Sequence, residues 1–462
     1  MIHRSLQDIK KMLGSEAVDV SHTDPIQIHG VSTDTRTIQA GNLFIPLIGD
    51  HYDGHAYASE AHSLGAAAVL WQADRPNPPE GMPLILVGNT LKALQQLAQA
   101  YRRELDVRII GITGSNGKTT TKDLVASVLS TRYQVHKTKG NLNNHIGLPL
   151  TLLQLAESTE FAVLEMGMSG RGEIALLSEL AEPEAVIITM IGEAHMLQLG
   201  SREEIARAKT EIMSGLQPGG VLIYNGDEPL IEQVLTERAD AKPFSRLTFG
   251  KAESNDIYPT EIELDPKGAH FRINSEHYPP LFIPLLGFHN VINALAAIHT
   301  AAYFGVNPEQ IQAGFQALQM TSMRIEKLTA KSGLTVLNDA YNSSPAALRA
   351  ALELVERLDD YSRKFIVLGD MLELGDQEEQ YHREIGRTLS PLCIDEVYTF
   401  GRLAAFIAEE ASTSFPPGRV RVFHDKQQLI QELQASLRPD DVVLIKGSRG
   451  MRLEQVANAL LS

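Results

Sequence analysis

Val107-Arg-Ile-Ile-Gly-Ile-Thr-Gly-Ser-Asn-Gly-Lys-Thr-Thr-Thr-Lys122 reads as a buried strand, a glycine-rich turn and the first turn of a helix. That order opens a parallel α/β domain. The turn itself, Thr113 to Thr120, has the composition of a phosphate cradle. A polyphosphate needs many donors close together. Residues without Cβ let backbone N–H groups converge on it, and a helix N-terminus adds positive dipole. Gly114, Ser115, Asn116, Gly117, Lys118, Thr119 and Thr120 form the nucleotide-binding set. Lys118 is placed to reach the β- and γ-phosphates, and the Thr119 hydroxyl to hold Mg²⁺. The strict G-x-x-x-x-G-K-[ST] pattern is not met, because Ile112 stands where the first glycine belongs. The bland alternative is a glycine-rich turn that caps a helix. The apolar run before the turn and Lys-Thr after it favour a nucleotide.

Outward from this turn the chain divides into three parts. A length of 462 residues exceeds one core. Residues 1–88 alternate short apolar runs with turns, and Trp71 to Gly81 reads as a proline-rich surface loop. Apolar residues at 91, 94, 97, 98, 101 and 105 have a helical period. Residues 89–319 alternate strands such as Phe161–Met166, Ala185–Met190 and Val221–Tyr224 with helices, then carry short strand-like runs from Phe249 to Leu286. Residues 320–462 repeat the rhythm, with a first strand at Leu334–Asn338. The expectation is an α/β chain of three domains. A small mixed α/β N-terminal domain precedes a central P-loop ATPase-like parallel-sheet domain and a C-terminal Rossmann-like domain.

Composition excludes some partners. The net charge of −16 argues against non-specific nucleic-acid binding. No apolar run approaches a membrane span, and the first residues lack a signal core. Cys393 is the only cysteine, so neither an intramolecular disulfide nor a cysteine metal site is possible. A cytoplasmic, monomeric protein is expected.

Other residues gain meaning from position. Glu165 closes an apolar strand, and strand C-termini face the ligand crevice of a parallel sheet. Mg²⁺ beside the phosphate loop is one role for it, and a solvated strand end the other. His195 and Lys209 read alone as a loop residue and an exposed helix lysine. Asn290 reads as a helix cap, with adenine contact by Asn290 and Asn293 as the alternative. Arg324 stands at the proposed domain junction, and Asp339 follows the first strand of the third part.

Taken in order, these segments resemble the Mur ligase family of ATP-dependent amide-forming enzymes in peptidoglycan precursor synthesis. The likeness spans nearly the whole chain. It rests on Thr113–Thr120, Thr138–Gly147, Glu165-Met-Gly167, Gly192-Glu-Ala-His195, the Lys209 helix, His289–Ala294 and Asn338–Asn342. The N-terminal Val31-Ser-Thr-Asp-Thr-Arg36 resembles both the dipeptide-adding branch and the branch that adds the third amino acid, while Leu368–Gly375 and Leu444–Glu454 are like the dipeptide-adding branch. The Asp-Asn-Pro-Arg motif of the branch that adds the third amino acid is absent from the sequence. Folylpolyglutamate synthase is a related alternative, but it lacks a counterpart of residues 1–88. An ATP-controlled binding switch is the alternative from another class.

The resemblance implies a set of roles. The acceptor would be UDP-N-acetylmuramoyl-tripeptide and the incoming amine D-alanyl-D-alanine, with ATP and Mg²⁺ as cofactors. Lys118, Lys209 and His195 would be catalytic. Thr119, Glu165, His195 and a carbamylated Lys209 would hold metal. Asn290, Asn293, Arg324 and Asp339 would meet ATP. Ser32, Thr33, Asp34 and Arg36 would hold the UDP-sugar, and Asn141 and Asn144 the acceptor peptide.

Overall fold

The computed structural model describes residues 1–20, 26–49, 52–237, 243–265, 267–321, 326–358 and 360–461. The central sheet has six parallel strands. Their order across the sheet is Ser245–Phe249, Val221–Asn225, Ala185–Ile188, Arg108–Thr113, Phe161–Glu165 and Val135–Lys137. The strand leading to the glycine-rich turn therefore lies inside the sheet. Its neighbours end at Glu165 and just before Thr189, so the crevice at its C-terminal end is walled on both sides.

Successive side chains alternate between faces. Ile110, Val163, Ile187 and Ile223 pack under the helices Lys118–Leu129 and Phe288–Tyr303. Ile109, Leu164, Val186 and Leu222 face the other way, onto the helix Thr90–Glu104 and its neighbours. Asn89 caps that helix, its side chain accepting the Lys92 N–H. Leu94, Leu97 and Tyr101 lie on its buried face. The same apolar cluster continues through Ile2, Leu6, Ile9, Leu43 and Ile85. The N-terminal and central domains thus share one core.

The N-terminal sheet has five strands in the order Ala17–Val20, Leu84–Val87, Ala68–Gln72, Leu43–Phe44 and Val31–Ser32. Only the first pair is antiparallel. Trp71 corrects the surface-loop expectation. It belongs to a strand, is buried, and stacks edge-on against His55 at 4.8 Å. The turn residues begin only after Gln72. The runs after Phe249 form an antiparallel sheet of Pro259–Asp265, Gly268–Ile273 and Leu281–Ile283.

The C-terminal sheet runs Glu326–Thr329, Thr335–Asp339, Val442–Lys446, Lys364–Gly369, Glu396–Phe400 and Val420–Phe423. The first of these is antiparallel to the second, and the rest are parallel. The strand Thr335–Asp339, which includes Asp339, is therefore the second of this domain. Two apolar clusters fill it, one on each face. Among the described residues no apolar cluster joins this domain to the other two. No described helix is long and apolar enough to cross a membrane.

Candidate active site

The glycine-rich turn has no room for side chains. Gly114 has φ 149°, and a Cβ there would stand 1.8 Å from Thr189 Oγ1. Gly117 has φ 83°, and its Cβ would meet Asn293 Oδ1 at 2.6 Å. Both positions demand glycine for backbone and for space. Lys118 begins the helix and its Nζ donates to Gly114 O at 2.7 Å, folding the ammonium over the turn. Ser115 pins the turn to the next strand end, its Oγ accepting the Gly192 N–H at 2.8 Å. Thr189 Oγ1 donates to Asn116 O at 2.5 Å.

Glu165 is buried beside this turn. Its Oε2 accepts the Thr119 hydroxyl at 2.8 Å, and its Oε1 accepts Asn143 Nδ2 at 2.9 Å. Asn143 was not anticipated. Of its neighbours, Asn144 Oδ1 accepts the N–H groups of Ile146 at 3.2 Å and Gly147 at 2.8 Å, where the helix Gly147–Leu153 begins. Asn141 is exposed.

Lys209 is not an exposed helix lysine. It lies on the buried face of the helix Arg202–Thr210 with only 2 % of its surface exposed. Burial, and then repulsion by Lys118, lower its pKa well below the usual lysine value. His195 has a left-handed backbone, φ 70°. Burial, followed by the charges of Lys209 and Lys118, lowers its pKa to about 4, so its ring is neutral at pH 7. Lys118, Lys209 and His195 thus converge. His195 Nδ1 lies 3.2 Å from Glu373 Oε2 of the C-terminal domain, yet at an angle that makes no hydrogen bond. Glu373 also has a left-handed backbone, φ 66°.

The helix Phe288–Tyr303 starts one residue after Gly287, so Asn290 does not cap it. The Asn290 amide donates to Leu286 O at 2.8 Å, and Asn293 Nδ2 donates to Asn290 Oδ1 at 3.3 Å. Both asparagines are buried, and Asn293 lies against Gly117 of the phosphate loop. Beside them a cavity of about 400 Å³ is lined by Leu286, Phe288 and His289 on one side and Ala350, Leu354 and Arg357 on the other. Burial lowers the His289 pKa to about 4, against the pull of Asp339.

The C-terminal domain reaches the turn directly. Ser344 caps the helix Pro345–Glu356, and its Oγ lies 3.2 Å from both Asn116 Nδ2 and Asn116 Oδ1. Asp339 is buried and accepts Lys446 Nζ at 2.6 Å, while Lys446 also donates to Asn342 O at 3.0 Å. Arg324 lies outside the described residues. In the N-terminal domain Asp34 accepts Arg36 Nη2 at 2.6 Å, and the buried Ser32 hydroxyl bonds Asp34 O at 2.9 Å. Thr33 lies between them, part-exposed.

Sequence patterns of known families match along the chain. The Mur ligase family, catalytic domain, matches residues 27–102. The Mur ligase middle domain matches 112–301, and the Mur ligase, glutamate ligase domain matches 323–449. The chain belongs to the Mur ligase family. A UDP-N-acetylmuramoyl-tripeptide--D-alanyl-D-alanine ligase of Bacillus subtilis (strain 168) is 50 % identical over 461 residues, covering 100 % of this chain and 99 % of its own. A crystal structure of MurF from Acinetobacter baumannii matches with TM-score 0.87 and 29 % identity, covering 100 % of this chain and 99 % of that one. A MurF ligase from Thermotoga maritima in complex with ADP matches with TM-score 0.80 and 26 % identity, covering 94 % and 97 %. As a Mur ligase the chain uses ATP, and its three-domain α/β architecture is the family's.

Proposed function

We propose that this chain joins D-alanyl-D-alanine to UDP-N-acetylmuramoyl-tripeptide, using ATP and forming UDP-N-acetylmuramoyl-pentapeptide, ADP and phosphate. The observation that carries the reading is the two-sided site. A phosphate loop with Lys118 and Thr119 beside Glu165 is touched by Ser344 of the domain resembling the dipeptide-adding branch. The near full-length likeness to the Bacillus subtilis ligase supports the same substrates.

A carboxylate resists attack by an amine. The γ-phosphoryl group of ATP converts it to an acyl phosphate, and the amine then displaces phosphate. Lys118 stabilises charge on the transferring group. Residues 1–88 hold the UDP-sugar through Ser32, Thr33, Asp34 and Arg36, and residues 89–319 bind ATP. Asn141 and Asn144 face the acceptor peptide. Asn290 and Asn293 face the adenine, and Arg324 and Asp339 complete the ATP site from residues 320–462. The dipeptide binds in that last domain, with water excluded when it closes.

Glu165, Thr119 and the neutral His195, whose Nδ1 makes no hydrogen bond, offer hard oxygens and one nitrogen, a set that fits Mg²⁺. Among the described residues no three His, Cys, Asp or Glu side chains converge, so Glu165, Thr119 and His195 would hold the cation together with the bound nucleotide. When bound, the cation neutralises phosphate charge. A buried, readily neutral Lys209 is suited to take up CO₂ as a carbamate, which turns a cation into an anionic oxygen pair. Action as a monomer in the cytoplasm belongs to the same reading, and the free Cys393 fits a reducing compartment.

The test is product mass with ATP, Mg²⁺, the lysine- or diaminopimelate-containing UDP-muramoyl-tripeptide, and D-alanyl-D-alanine. Phosphate release is expected only with both partners. Joining of lysine or diaminopimelate to the UDP-muramoyl-dipeptide instead would overturn the substrate assignment.

A further inference from the structure

Lys122 and Asp123 are adjacent on the phosphate-loop helix, and both side chains are wholly buried. Lysine and aspartate rarely sit so deep unless paired and hydrogen-bonded. Here the partners come from distant stretches of the chain. Lys122 Nζ donates to Thr138 O and to Thr321 Oγ1, each at 3.0 Å, and lies 3.3 Å from Asp123 Oδ1. Asp123 accepts Lys137 Nζ at 2.7 Å and the Thr321 N–H at 2.8 Å. Lys137 also donates to Gln319 O at 3.2 Å. Two lysines and one aspartate therefore grip residues 319–321, just ahead of the first C-terminal strand Glu326–Thr329.

The grip continues into the site. The Thr138 hydroxyl, next to the carbonyl that Lys122 holds, accepts the Glu165 N–H at 3.0 Å. Glu165 in turn holds Thr119 at 2.8 Å and Asn143 at 2.9 Å. An unbroken series of bonds runs Thr321, Lys122, Thr138, Glu165, Thr119. Its two ends have different duties. Thr321 is where the central domain hands the chain to the C-terminal domain, and Glu165 is the carboxylate beside the phosphate loop.

We propose that Lys122 is a positioning residue that ties the placement of Glu165 to the anchoring of Thr321. It touches neither nucleotide nor acceptor. Its ammonium fixes the Thr138 carbonyl from one side and the interdomain segment from the other. A displaced Thr321 then loosens the backbone that orients Glu165. The functional consequence rests on the reaction proposed above. A purely structural charge pair predicts loss of stability alone, spread evenly over the central domain.

The test is a double-mutant cycle of Thr321→Val and Lys122→Met, read in two ways. The first is amide hydrogen exchange of the ligand-free full chain in peptides covering residues 135–145 and 161–168. The second is kcat and KM for each substrate. Losing one hydrogen bond of this kind corresponds to about a two- to tenfold change. Thr321→Val is expected to speed exchange at Glu165 by that factor. It should lower kcat to a similar extent and leave KM for ATP nearly unchanged. In the Lys122→Met background Thr321→Val should add nothing. Lys122→Met leaves Asp123 buried with altered pairing and risks misfolding, so Thr321→Val alone also decides. Unchanged exchange at Glu165 in Thr321→Val overturns the proposal, as does a fully additive cycle. If the wild type makes no pentapeptide, the reaction assignment fails, and the exchange result decides the coupling by itself.

Discussion

The chain has two domain junctions, and they are built from opposite materials. Between the N-terminal and central domains, Leu94, Leu97 and Tyr101 of one helix enter a cluster that runs from Ile2 to Leu235. The Ile2 N–H donates to Leu153 O at 2.7 Å, and Arg4 Nη1 donates to Glu157 Oε1 at 2.7 Å. Between the central and C-terminal domains the contacts are polar and thin. They include the Asn116–Ser344 pair, the approach of His195 to Glu373, and the Leu197 N–H bonded to Glu373 O at 3.3 Å. Opening the first junction exposes a core, while opening the second exchanges a few polar contacts for water. The N-terminal and central domains therefore form one packed body, while the C-terminal domain meets it through a thin polar seam, the kind of interface that permits relative domain motion.

The sharpest way to test this contrast is to cut a residue at each junction. Lys118→Ala, in the phosphate loop at the second junction, should lower kcat by about a hundred- to a thousandfold, or ~3–4 kcal/mol of transition-state stabilisation. Its denaturant midpoint should stay near wild type. Stopped-flow phosphate release checks the first, and urea unfolding the second. Near-normal turnover would remove the phosphate-loop assignment.

Leu97→Ala, at the packed junction, should cost about 2–4 kcal/mol of stability. Signals from the N-terminal and central domains should shift together. The C-terminal transition should not move, because its cores are separate. Calorimetry would resolve this, and separate shifts of the first two domains would break the shared-core account.

Acid should act next. His136 and His289 are both held near pKa 4 by burial, against an ordinary 6.5. A depressed histidine pKa means that the unfolded chain binds protons first as the pH falls. Their contribution is fully present above about pH 6.5 and is lost on the way down to about pH 4. The urea midpoint should fall from pH 7.5 to pH 5, and less steeply in His289→Gln. An equal slope in that variant would show that another group drives the effect.

The smallest effect is expected at the interdomain contact itself. Glu373 is 55 % exposed, so Glu373→Gln should shift the stability of the ligand-free chain by no more than ~0.5 kcal/mol. Small-angle scattering should record a more compact particle when ATP and acceptor bind the wild type. An unchanged profile on saturation would count against closure.

Much of the fold was legible locally. Buried parallel strands carry continuous apolar runs, and the turn after Thr113 announces itself by glycine spacing. What escaped depends on distant partners. The strand Glu326–Thr329 is short, polar and at a sheet edge, with no alternation strong enough to mark it. Trp71 follows an apolar run and precedes prolines, and the prolines drew it into the loop. Lys209 did carry a signal. Ile205, Ala208 and Lys209 share one face at spacings of three and four, which puts the lysine among apolar neighbours. The roles of Asn143, Lys122 and Glu373 come from bonds or contacts to residues 22, 199 and 178 positions away, which no local pattern encodes.

The polar second junction also bears on ancestry. A seam without a shared core is where recombination does least damage, since neither half must repack. Residues up to Thr321 form one inheritable block, and the domain from Glu326 onward is a cassette. Exchange of that cassette between relatives would require the repair of only a handful of hydrogen bonds.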